Sequence, residues 1–158
     1  MRIWKIVIWI FIGTIAAALL LELVIPSNRD RPTLSRELLL QSQAMQIGLT
    51  GETGSGWHAA IANANSGDAS ELMQKTEDAA FAGNYNAACA AAELVKSASL
   101  RDRLYALIAN SAVEQCASLP YAIFAVNNMQ VGEAQEQLYD RVVIRQDLCR
   151  ALKQKQGS

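Results

Sequence analysis

Residues Ile6 to Ile25 read IVIWIFIGTIAAALLLELVI, an apolar run whose only charge is Glu22. A bilayer core about 30 Å thick is crossed by about 20 apolar residues at about 1.5 Å each. The run is therefore expected to form one transmembrane helix. Lys5 and Glu22 bracket sixteen uncharged residues. The span reaches full length when Glu22 lifts its carboxylate to the headgroups and Leu23, Val24 and Ile25 complete the last turn. Glu22 then ends the span rather than acting as a functional acid inside it. Trp4 and Trp9 lie near the first interface, where indole rings are favoured. Pro26, Ser27 and Asn28 stop the helix. The competing reading is a cleaved signal peptide, with Arg2 and Lys5 as its basic start and Ala16-Ala17-Ala18 as the cleavage site. Continuation of the run through Leu19 to Ile25 favours an uncleaved anchor.

Arg2 and Lys5 precede the span, whereas Arg29, Arg31 and Arg36 follow it, so the positive-inside rule is nearly balanced. The basic start and the short N-terminal tail favour a cytoplasmic N-terminus. Residues 27–158 are then expected outside the cytoplasm, as a single-pass plasma-membrane protein with a periplasmic domain if the source is bacterial.

The 158 residues leave one domain after the anchor as the natural expectation. The formal net charge of −1 and the lack of a Lys/Arg cluster exclude a nucleic-acid binder. Prolines stand only at 26, 32 and 120, leaving long windows for helix. No convincing run alternates with period two. The expected class is all-α: an anchor over 1–26, a juxtamembrane helix and Gly-rich linker over 27–56, and a helical domain over 57–158.

In chain order, Thr33 can cap a helix to about Gln46, with Leu34, Leu38, Leu39, Met45 and Ile47 on its apolar side. This helix either packs onto the domain or pairs with a partner. Four glycines between Gly48 and Gly56 predict a flexible linker. Asp68 and Glu71 have capping-box spacing, and a helix follows to about Ala82, closed by Gly83. Further helices are expected over Tyr85–Lys96 behind Asn84, Leu100–Cys116 behind Ser99, and from Ser118 to about Met129 with Pro120 in the first turn. The last opens after Gly132 and runs to about Lys153.

Three features imitate chemistry. Gly51-Glu52-Thr53-Gly54-Ser55-Gly56 matches the first part of a phosphate-binding loop, but Trp57 and His58 stand where Lys and a hydroxyl are needed. His58 is the only His, with no ligand at metal-binding spacing. Glu77 and Asp78 are adjacent and point to different sides of a helix. No nucleotide, metal, cofactor or catalytic residue is expected, and the chain is not read as an enzyme.

A repeat is more informative. Tyr85, Ala88, Cys89, Ala92 and Val95 form an apolar face, and a shift of 34 turns it into Leu119, Ala122, Ile123, Val126 and Met129. The same shift carries Leu104-Tyr105 to Leu138-Tyr139 and Ile108 to Val142. Two helices per 34 residues is the period of an α-α solenoid. Gly83-Asn84-Tyr85-Asn86-Ala87-Ala88 resembles the G-x-Y-x-x-A of the tetratricopeptide repeat family, over about residues 68–152. The second copy departs from it, with Ala117, Leu119 and Ala122. The family's usual Trp and Gly fall on Leu72 and Thr76, and its closing Pro on Leu100. The resemblance implies an interaction module with a concave face and no chemistry. A helical bundle with a chance echo is the alternative.

The expected function is a membrane-anchored helical-repeat adaptor, binding a protein partner in the membrane or envelope. The alternative is a small accessory subunit held mainly through its span, where Gly13 and Ala16 to Ala18 offer a small-residue face. The repeat also ranks the cysteines. Cys89 and Cys116 lie at heights differing by about 13 Å on successive helices, too far for a bridge. Cys116 and Cys149 are 33 apart, one short of the repeat, and so lie at nearly equal height on neighbouring helices. Cys116 and Cys149 are the candidate disulfide, with three buried thiols as the alternative. Cys89 should be a buried thiol.

Overall fold

The computed structural model describes residues 33–45, 47–49 and 53–156. The expected span over 1–26, the connector to Pro32 and the Gly51-Glu52 part of the linker lie outside the described residues. Among the described residues every regular element is helical. The helices are α1 (Arg36–Ala44), α2 (Thr53–Asn65), α3 (Ser70–Phe81), α4 (Tyr85–Glu93), α5 (Ala98–Ala112), α6 (Leu119–Asn127) and α7 (Glu133–Gln156). A 3-10 turn, Cys116–Ser118, precedes α6. None of these helices is long and apolar enough to cross a membrane.

From α2 onward, each helix packs against the next and the next but one. Thus α2 meets α3 and α4, α3 meets α4 and α5, α4 meets α5 and α6, α5 meets α6 and α7, and α6 meets α7. The element that breaks chain order is α1, which packs on α6. Small residues permit this closeness: Ala88, Ala91, Ala92, Ala109, Ala112 and Ala122 are all fully buried. Around them, Leu72, Leu104, Tyr105, Ile108 and Ile123 fill the core.

Burial follows the sequence spacing. Tyr85, Ala88, Cys89 and Ala92 on α4 are buried, as are Leu119, Ala122, Ile123 and Val126 on α6. Trp57, Ala60, Ile61 and Ala64 on α2 are buried at the same spacing, 28 residues before the α4 set. On the alternate helices Leu72, Leu104 and Leu138 are buried, and so are Thr76, Ile108 and Val142. Thr76 satisfies its hydroxyl by donating to the Leu72 carbonyl at 2.8 Å.

The linker expectation is corrected over 53–56. Thr53, Gly54, Ser55 and Gly56 form the first turn of α2 rather than a flexible stretch. Glycine in a helix interior costs about 1 kcal/mol, but burial of the Trp57 ring and of Ile61 outweighs that. Both α1 and α2 lie in one compact unit with the helices that follow, residues 32–158.

The helix ends explain the remaining shifts. Both α2 and α3 close with a glycine in the left-handed region, Gly67 at φ 114° and Gly83 at φ 77°. Asn84 donates to the Ala79 carbonyl at 2.7 Å and Gly83 to Ala80 at 3.1 Å, the two bonds of a Schellman motif. Ser35, not Thr33, caps α1, accepting from Leu38 N–H at 3.4 Å. Ser97, not Ser99, caps α5 through Leu100 N–H at 3.4 Å. Ser118 does not cap α6 with its side chain; its hydroxyl donates back to the Ala112 carbonyl at 2.7 Å. That contact is part of why α5 ends at Ala112, short of the expected Cys116.

Candidate interaction surface

Cys116 and Cys149 are joined by a disulfide, with Cα atoms 5.7 Å apart. Cys116 sits in the 3-10 turn and is exposed, while Cys149 is buried on α7. The bridge thus ties the α5–α6 connection to the last helix, rather than joining two helices as the spacing suggested. Cys89 is a free, buried thiol. Burial first, and the Glu93 carboxylate second, push it up to about 12, so it stays a neutral hydrophobe at ordinary pH.

A second tie was not anticipated. Gln146 on α7 is 2% exposed, in the register that α5 fills with Ala112. Its Oε1 accepts from Ser35 N–H at 2.6 Å, and its Nε2 donates to the Thr33 carbonyl at 3.4 Å. A buried amide must find partners, and here they are the backbone leading into α1. The sequence signal was available: the shift of 34 puts a polar residue at a core position. Between α1 and α7 lies a shallow cleft lined by Ser35, Glu37, Gln41, Gln146, Arg150 and Lys153, with the disulfide beside it. It brings together no nucleophile and general base.

The other sequence candidates remain apart. His58 is exposed, and no group of three or more His, Cys, Asp or Glu able to hold a metal occurs among the described residues. Glu77 and Asp78 are both exposed, and Asp78 accepts from Gln74 at 3.0 Å. Asp68 is held below the usual carboxylate range by hydrogen bonds from the Ser70 hydroxyl and amide, but the expected capping box does not form: the N-cap of α3 is Ala69, with no side-chain capping bond.

What the surface offers is helix faces. Ile144, Leu148 and Leu152 stand exposed at every fourth residue of α7. Beside them a shallow groove is lined by Val113 and Glu114 from the end of α5 and by Arg141, Ile144, Arg145 and Leu148 from α7. Arg141 pairs with Glu114 at 3.2 Å and also donates to the Asn110 side chain. Arg145 donates to the Glu114 carbonyl. No family model matches the chain, and no curated protein or solved structure matches it either.

Proposed function

We propose that this chain is a single-pass, membrane-anchored helical-repeat protein whose extracytoplasmic domain binds a protein partner in a cell-envelope complex. The observation that carries the reading is the packing order of α2 to α7, each helix against its next and next-but-one neighbours. Stacked helical hairpins pack in this way, each burying the face its neighbour exposes. The recurring burial at Trp57, Tyr85 and Leu119, and at Leu72, Leu104 and Leu138, supports a degenerate tetratricopeptide-like array of three hairpins. In this reading α1 caps the array by packing on α6. The disulfide supports an oxidising compartment, since such bridges are rare where glutathione keeps thiols reduced. The module works without a cofactor, by surface complementarity rather than catalysis.

The second reading, an accessory subunit held through its span, rests on the small-residue face of Gly13 and Ala16 to Ala18. Exchange of residues 1–32 for an unrelated anchor separates the two. A cut later in the chain would strand α1 from α6. Under the adaptor reading, cross-linking in membranes recovers the same partner from the exchanged protein. Loss of that partner on exchange, with an intact domain, would favour the accessory subunit.

A further inference from the structure

The open side of α7 carries three aliphatic side chains, Ile144, Leu148 and Leu152, each more than half exposed. Residues four apart advance about 40° around a helix, so the three form one slanting stripe. Arg141, Arg145 and Lys155 fall along the same side by this periodicity, whereas Asp140 and Asp147 fall beside it. The groove next to the stripe holds two arginines and one glutamate, leaving it positive.

The internal register says what kind of surface this is. The shift of 34 carries Asn110 to Ile144 and Glu114 to Leu148. Asn110 on α5 and Glu114, two residues past the end of α5, are the residues that α7 engages, through Arg141. On α7 the same two places are apolar and open. A polar, arginine-bearing helix matches the α5 surface; the α7 surface matches a helix that brings apolar side chains instead. The α5–α7 interface is thus continued, one step further, by an unpaired apolar face.

We infer that α7 docks an amphipathic helix of a partner protein, one with aliphatic side chains at i and i+4 and a carboxylate placed for Arg141 and Arg145. This inference rests on the interaction-module reading above. Helix-in-groove recognition uses such anchors, and arginine–carboxylate pairing fixes the register. A second copy of α7 is a poorer occupant. Antiparallel pairing about Leu148 sets Arg141 against Lys155 of the partner subunit, and parallel pairing sets each arginine against its own counterpart.

The test uses the full chain in detergent and a fluorescent synthetic helical peptide with Leu at i, i+4 and i+8 and flanking Glu. A control peptide carries Lys for Glu. The Glu peptide should bind at least about tenfold tighter than the Lys peptide. Leu148→Asp and, separately, Ile144→Asp should each weaken it by about tenfold or more, and Arg141→Glu should narrow or reverse the charge preference. All three sites are exposed, and circular dichroism checks that each variant stays folded. Equal binding of both peptides, or indifference to Leu148→Asp, would overturn the inference. So would self-association abolished by Leu148→Asp, which gives the face to a second copy. Protection of a Leu148→Cys thiol by phosphatidylglycerol nanodiscs, with no peptide effect, would give it to lipid. If the peptides fail while partner recovery survives the anchor exchange, only this surface is wrong; if recovery fails too, the interaction reading falls with it.

Discussion

Removing the disulfide should lower the melting temperature by an amount set by the loop it closes. Cys116 and Cys149 are 33 residues apart, and the loop contains all of α6 and most of the buried half of α7. Loop-closure entropy for that length is about 12.5 cal/mol/K, or about 3.7 kcal/mol at 25 °C. A domain of about 120 ordered residues has an unfolding entropy of about 0.25 kcal/mol/K, so the double variant Cys116→Ala/Cys149→Ala should melt about 15 °C lower. Circular dichroism of the full chain in detergent reads this directly, and reducing agent added to the native protein should reproduce it. A fall of less than about 4 °C, roughly 1 kcal/mol, would refute the reasoning. It would mean that the bridge constrains little that is not already constrained in the unfolded chain.

Leu104 is fully buried and Leu138 6% exposed; either changed to Ala should cost about 2–5 kcal/mol in denaturant unfolding. Values under about 1 kcal/mol at both sites would show them to be misplaced in the core. Gln146→Leu leaves the Ser35 amide and the Thr33 carbonyl without their partner, which should cost about 1–3 kcal/mol. Hydrogen exchange should accelerate in α1 while α4 keeps its protection; uniform acceleration would mean that Gln146 holds more than α1. Cys89 should resist alkylation in the folded protein up to pH 9 and react on unfolding. Its folded thiol is pushed up from 9.0 to about 12, so its contribution is complete below 9.0 and is lost as pH rises toward 12. Cys89→Ala should therefore flatten the loss of stability above pH 9, and an unchanged alkaline profile would contradict this.

The all-α class was legible because nothing in the chain alternates with period two and caps recur before each apolar face. The starts of α4 and α6 were legible from one shift, since Tyr85 and Leu119 head the same buried pattern. The start of α2 was hidden, because glycine-rich sequence reads as linker and only tertiary burial of Trp57, Ala60, Ile61 and Ala64 turns it into helix. Its spacing from α4 is 28, not 34, so a search at one period passes over it. The docking of α1 on α6 was open in principle. Its apolar side was visible, but the choice between domain and partner depended on Gln146, more than a hundred residues away. The cysteine pairing was legible from height alone, whereas the 3-10 turn that carries Cys116 was not. It depends on the Ser118 hydroxyl turning back to the Ala112 carbonyl.

The proposed envelope adaptor requires residues 27–158 to stand outside the cytoplasm. Protease added to intact spheroplasts, followed by alkylation and peptide mapping without reductant, reads side and redox state in one measurement. The expected result is digestion of residues 27–158, recovery of a Cys116–Cys149 linked peptide, and Cys89 alkylated only after denaturation. Full protection of the domain, with all three cysteines recovered as alkylated thiols, would contradict it.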